Sequence, residues 1–248
     1  GRPVHVCVSL GDERRSDCVT ELNNACRRLL GEIALDPESL LDRARRLAPG
    51  LALRALAAAP IALEGLLGLL LTESVAAGPG RLVLSLDQHR HLLSGGGSLA
   101  DLLILEMAEG AVAVRVAEAK FTLGAASPNE DPVPKALKQV ETTVGRLSRF
   151  GVAHPLAART RAALVRAALQ QVHLLDRAKP REELKQLVRI VDGLADPAVP
   201  IRIAPPDGAT VHVWSWSNTT KDVQDGAVYI HGRSDTEALL CASTPKLS

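Results

Sequence analysis

The stretch from Asp101 to Thr122, DLLILEMAEGAVAVRVAEAKFT, constrains the fold more than any other part of this chain. It reads as two strands of apolar and β-branched residues, 101–107 and 111–122, joined by a tight turn at Glu109-Gly110. Two such strands with so short a link form a hairpin. The hairpin carries charges that a buried strand holds only at a cost. Asp101 opens the first strand, while Glu118 and Lys120 follow the run VAVRVA near the end of the second. Side chains two apart on a strand point the same way, so Glu118 and Lys120 share a face and Ala119 points away. The pairing of the strands brings that face beside Asp101.

Helices surround the hairpin. A short strand is expected at 3–9, then a helix over 14–34 with Leu22, Cys26, Leu29, Leu30 and Ile33 on one face. Asp36-Pro37 restarts the chain as an N-cap followed by proline at the first helical position. Helices at 38–48, 51–58 and 61–76 follow, broken at Pro49-Gly50 and Pro60. Gly78-Pro79-Gly80 turns the chain into a strand at 81–86, and Ser94–Ser98 (SGGGS) is a flexible lip. After a polar loop at 124–134 come helices at 134–150, 156–178 and 180–194. A Pro-rich connection at 191–206 leads to a strand at 210–216 and another at 227–230. This order predicts an α/β protein: a mixed sheet core flanked by helices on both faces, with a helical N-terminal segment. The expected organisation is a mostly helical segment at 1–59, a core at 60–216 and a C-terminal extension at 217–248.

Composition narrows the function classes. Aromatic residues are only 2% of the 248 residues, so the core must be built from Leu, Val, Ala and Ile. The net charge of +1 does not mark a globally basic nucleic-acid binder. Local clusters remain at Arg14-Arg15, Arg27-Arg28, Arg43 with Arg45-Arg46, and Arg159/Arg161/Arg166; their plainer reading is solvated helix faces. Cys7, Cys18, Cys26 and Cys241 contain no C-x-x-C pair, which argues against zinc and for reduced thiols in a cytoplasm. The apolar run 61–71 is too short for a membrane span and includes Glu64, and no signal peptide is visible. A chain opening Gly-Arg-Pro without Met reads as an excised part of a larger protein.

Two carboxylates at one point can hold a hard divalent cation such as Mg²⁺. Such a cation neutralises a phosphodiester and activates a water molecule. An adjacent lysine orients that water or steadies the transition state, and relieves repulsion between the acids. With Asp101 at the start of one strand and Glu118-x-Lys120 on the next, ADLLILEMAEGAVAVRVAEAKFT resembles the PD-(D/E)XK nuclease superfamily over roughly residues 60–216. Ala100 stands where the family usually has proline. The resemblance implies a restriction-endonuclease-like core with Asp101, Glu118, Lys120 and Gln139 as catalytic residues. It also implies Mg²⁺ or Mn²⁺ held by Glu64, Asp101, Glu118 and the Ala119 carbonyl. Glu64 matches an acid on the helix before the first core strand, and Gln139 a glutamine on the helix after the motif. Lys135 and Lys138 are candidates for phosphate contacts.

More narrowly, LVLSLDQHR, ADLLIL and VAEAKF resemble the nuclease region of FtsK/HerA-type, translocase-linked bacterial defence (restriction) proteins. The implied function is a metal-dependent DNA endonuclease in defence or DNA processing, working with an ATP-driven translocase. No G-x-x-x-x-G-K-[ST] phosphate-binding loop is present, so a motor would lie beyond Ser248 or on a partner. The alternative is a catalytically inactive module of the same fold, binding DNA or scaffolding within a translocase complex. A third reading is an unrelated α/β domain with a fortuitous E-x-K, in which the Asp101 and Glu118 carboxylates would lie far apart. Asp87, His89, Arg90 and His91 read as a cleft lining or a helix cap before a D-x-H-x-H metal site. His212 and His231 read as isolated core or surface residues. Trp214 and Trp216, two apart on one strand, read as core packing before base stacking.

Overall fold

The computed structural model describes residues 12–57, 60–89, 92–93, 98–148, 155–176, 179–203 and 208–242. The expected strand at 3–9, with Cys7, lies outside them, as do Arg90, His91 and the glycines of the SGGGS loop. Four helices come first: α1 (Asp12–Leu30), α2 (Pro37–Leu47), α3 (Pro49–Leu56) and α4 (Pro60–Ala76). Asp36 caps α2, its carboxylate accepting from the Glu38 and Ser39 amides, with Pro37 in the first turn. The hairpin strands β2 (Leu102–Ala108) and β3 (Ala111–Thr122) follow β1 (Arg81–Ser85). Glu109 and Gly110 both adopt positive φ, 49° and 72°, the conformation a two-residue hairpin turn needs.

Three helices come next: α5 (Val133–Ser148), α6 (Pro155–Leu175) and α7 (Arg181–Ala195). The chain ends in β4 (Ile201–Ile203), β5 (Thr210–Ser215), β6 (Val223–Asp225), β7 (Val228–His231) and α8 (Arg233–Ala242). The expected connection at 191–206 is in part the last turn of α7 and in part β4, which pairs parallel with Val112–Val114 of β3. The protein is thus α/β, with a mixed seven-stranded sheet in the order β1-β2-β3-β5-β7-β6 and β4 beside β3. β1, β2 and β3 run antiparallel; β3, β5 and β7 run parallel.

Strand alternation divides the interior into two cores. Leu82, Leu84, Leu103, Leu105, Val112, Val114, Val116, Val211 and Val213 face α5, α6 and α7. Val83, Leu102, Ile104, Ala117, Phe121, Trp214 and Trp216 face α1–α4 and α8. With almost no aromatics, leucine fills both: Leu66, Leu67, Leu70 and Leu71 of α4 are all buried. Trp214 is fully buried and donates from Nε1 to the Thr72 hydroxyl, and Trp216 donates to the Leu30 carbonyl, so both are core residues. Gly68 lets α4 lie almost on β3. A Cβ there would sit 3.2 Å from the Lys120 carbonyl carbon and the Phe121 nitrogen. Among the described residues no helix is long and apolar enough to cross a membrane.

Candidate functional site

β2 and β3 stay paired only as far as Leu102↔Ala117, while β3 continues to Thr122 along β5. On the β2 side, the amides of β3 beyond Ala117 therefore lack a strand partner. Asp101, the residue just before β2, fills the gap: its Oδ2 accepts from the Ala119 amide at 3.0 Å. The register sets Asp101 opposite Glu118. Their carboxyl groups come within hydrogen-bonding reach once one of them carries a proton. The Lys120 ammonium pairs with Glu118 Oε1 and also donates to Gln139 Oε1 at 3.1 Å. Asp101, the Glu118-x-Lys120 pair and Gln139 come from three separate stretches of sequence and meet at one point.

Helix α5 fixes this group from behind. Gln139 Nε2 donates to the Leu99 carbonyl at 3.0 Å, and Thr143 Oγ1 accepts from the Ala100 amide at 2.8 Å. These bonds pin the segment leading into Asp101 and set the amide so that its oxygen faces Lys120. Sequence reasoning did not single out Thr143. Its position one helical turn after Gln139 was the available signal.

The electrostatics are those of two acids forced together out of water. The Glu118 side chain has no exposed surface, and its Oε2 is buried without a hydrogen-bond donor. Burial, then the Asp101 charge, pushes Glu118 up to about 8, with Lys120 opposing. Burial likewise raises Asp101 to about 6, against the Lys120 charge and the Ala119 amide. Near neutral pH the pair therefore retains a proton, which Lys120 alone does not displace.

Asp101 opens onto a cleft of about 270 Å³. The cleft is lined by Glu64 and its α4 neighbours Ile61, Gly65 and Leu69, and by Leu51, Ser85, Asp87, Asp101, Ala119, Lys120 and Phe121. Glu64 thus shares a cleft with Asp101, Ala119 and Lys120, whereas Glu118 lies behind the wall. Lys135 and Lys138 are exposed on α5 and are not in the lining. Among the described residues no group of three or more His, Cys, Asp or Glu side chains is arranged to hold a metal ion. Asp101 and Glu118 are a pair of carboxylates, and Mg²⁺ is an ion that keeps several waters and takes one or two carboxylates. The donorless Glu118 Oε2 fits such a set, because a cation would give that oxygen a partner.

Other expected residues fall differently. Asp87 is exposed at the cleft and His89 is buried. His212 and His231 are not isolated: Nδ1 of one lies 3.1 Å from Nε2 of the other across β5 and β7. Their rings stack with Trp214 and Tyr229, and burial lowers His212 to about 3. Two of the arginine clusters contribute structural side chains. Arg43 donates to the Leu70 carbonyl, Glu73 and Ser74. Arg161 donates to the carbonyls of Gly193, Leu194, Asp196 and Val199 around the end of α7.

Fold and site together define an α/β protein with a recessed acid–acid–lysine group at the mouth of a hairpin. In comparisons with protein families, curated proteins and solved structures, the chain matches none.

Proposed function

We propose that this chain is a metal-dependent nuclease that hydrolyses phosphodiester bonds in DNA. The observation that carries the reading is the meeting of two acids, the fully buried Glu118 and the cleft-lining Asp101, beside one ammonium group, Lys120, which pairs with Glu118. Holding two acids against each other with one of them fully buried costs stability, and a hydrophobic pair would stabilise the hairpin better. A group so unfavourable for folding is what a reaction centre requires.

Asp101 and Glu118 would hold Mg²⁺ or Mn²⁺, with the Ala119 carbonyl beside them and Glu64 across the cleft. The bound cation would neutralise phosphate charge and lower the pKa of a water molecule. Lys120, steered by Gln139, donates hydrogen bonds to the attacking water or to the charge that develops on phosphorus-bound oxygen. Release of the proton shared by the acids readies them for the cation. The wider setting, a cytoplasmic bacterial defence or DNA-processing system with an ATP-driven translocase as partner, rests on the sequence resemblance alone.

The test is incubation of plasmid and linear DNA with the purified chain and Mn²⁺, beside Lys120→Ala and Glu118→Ala. The reading expects cleavage that needs the metal and drops at least about a hundredfold in each variant. Undiminished cleavage by either variant removes the assignment.

A further inference from the structure

The cleft has an uneven wall for a site that would receive an anionic polymer. The lining carries three acids, Glu64, Asp87 and Asp101; among its described lining residues Lys120 is the one cation, and it is engaged by Glu118 and Gln139. Leu51, Ile61, Leu69 and Phe121 make up its apolar part. Ile61 is 85% exposed in the first turn of α4, the most exposed large apolar side chain among the described residues. Solvating such a side chain at a cleft mouth gains nothing for folding. Apolar side chains such as isoleucine and leucine can pack on the faces of bases, as they do when they wedge between the base steps of a kinked duplex.

Depth and volume point the same way. Asp101 lines the cleft and Glu118 lies behind it with no exposed surface, so a scissile phosphate must enter the cleft to approach Asp101. A duplex is stiff over about 50 nm and carries its phosphates on a rigid outer surface. A single strand can turn one phosphate inward and lay the neighbouring base on an apolar wall. The volume of about 270 Å³ lies just under the range of pockets for small organic ligands, on the order of 300–1,000 Å³.

We infer that the cleft accepts one nucleotide of an unpaired strand, with Ile61 and the adjoining apolar wall packed against its base or sugar and the phosphate directed to Asp101. The inference rests on the nuclease reading and adds its substrate class. Ile61 is a positioning residue, acting on substrate placement rather than on the reacting atoms. Gly65 offers a second handle. A Cβ there would meet only Leu51, at an ordinary 3.9 Å, so a larger side chain projects into the cleft without disturbing α4.

The test compares a labelled oligonucleotide with the blunt duplex of the same sequence, in Mn²⁺, for the unaltered chain, Ile61→Ala and Gly65→Leu. The single strand should be cut at least about tenfold more efficiently than the duplex. Both substitutions should narrow that preference, Ile61→Ala through KM more than kcat. Fluorescence anisotropy of labelled oligo-dT, with Ca²⁺ replacing Mn²⁺, should show about tenfold weaker binding for both variants. Equal or faster cutting of the duplex, or an unchanged preference and affinity in Ile61→Ala, overturns the inference and leaves the nuclease reading standing. Cleavage of neither substrate overturns both.

Discussion

Replacing Glu118 by glutamine should make this protein more stable at alkaline pH. Burial and Asp101 raise Glu118 from 4.5 to about 8. The folded protein therefore holds this proton more tightly than the unfolded chain does. The associated stability is fully present below about pH 4.5 and is lost as pH rises through about 8. One unit of pKa corresponds to about 1.4 kcal/mol, which bounds the cost of the Glu118 charge at about 5 kcal/mol. Asp101 shares this titration, so the gain from removing the charge lies below that bound, on the order of 2–3 kcal/mol. Glutamine keeps an oxygen for Lys120 and places an N–H where Oε2 now lacks a donor, close to Asp101. Thermal unfolding in EDTA at pH 5 and pH 9 measures the effect. Glu118→Gln should match the unaltered chain at pH 5 and exceed it at pH 9 by about 5–10 °C, taking about 2–4 °C per kcal/mol at this size. A variant less stable at pH 9, or one with the same pH slope as the unaltered chain, refutes the claim that Glu118 is buried at a cost.

Three further outcomes follow from packing and titration elsewhere. Gly68→Ala forces a methyl group to 3.2 Å from the β3 backbone and should cost about 1–3 kcal/mol in urea unfolding; an unchanged midpoint would mean that α4 is not seated on Lys120 and Phe121. Thr72→Val leaves the buried Trp214 Nε1 without its acceptor and should cost about 1–3 kcal/mol, read from the same titration. His212 is held neutral, its pKa lowered from 6.5 to about 3 by burial and then by His231, so its stability is present above pH 6.5 and lost as pH falls toward 3. His212→Phe keeps a flat ring for the stack and should show a smaller fall in Tm between pH 7 and pH 4; an equal fall would place the acid sensitivity elsewhere.

The hairpin and its acids were legible because two signals coincide there. Runs of apolar and β-branched residues mark the strands, and Glu109-Gly110 fixes the register, so Asp101 had to fall near Glu118. Asp36-Pro37 likewise announced α2. What stayed hidden depends on pairing between distant segments. β4 and β6 have three residues each, too few for a periodic signal, and β6 is exposed throughout. His212 and His231 meet because β5 and β7 pair in parallel across an intervening turn and β6, a contact no local pattern reveals. The cleft wall escaped for the same reason: Leu51 and Ile61 read as ordinary helix residues until α3 and α4 are placed beside β3. Nor could spacing show that Glu118 lies behind the wall while Asp101 and Lys120 line it.

The central claim is that Asp101 and Glu118 form a divalent-cation site, and calorimetric titration with Mn²⁺ at pH 7 tests it most directly. One ion should bind with release of a proton from the acid pair, and binding should be lost in Asp101→Asn and in Glu118→Gln. An unaltered chain that binds no Mn²⁺, or variants that bind it as tightly as the unaltered chain, would contradict it.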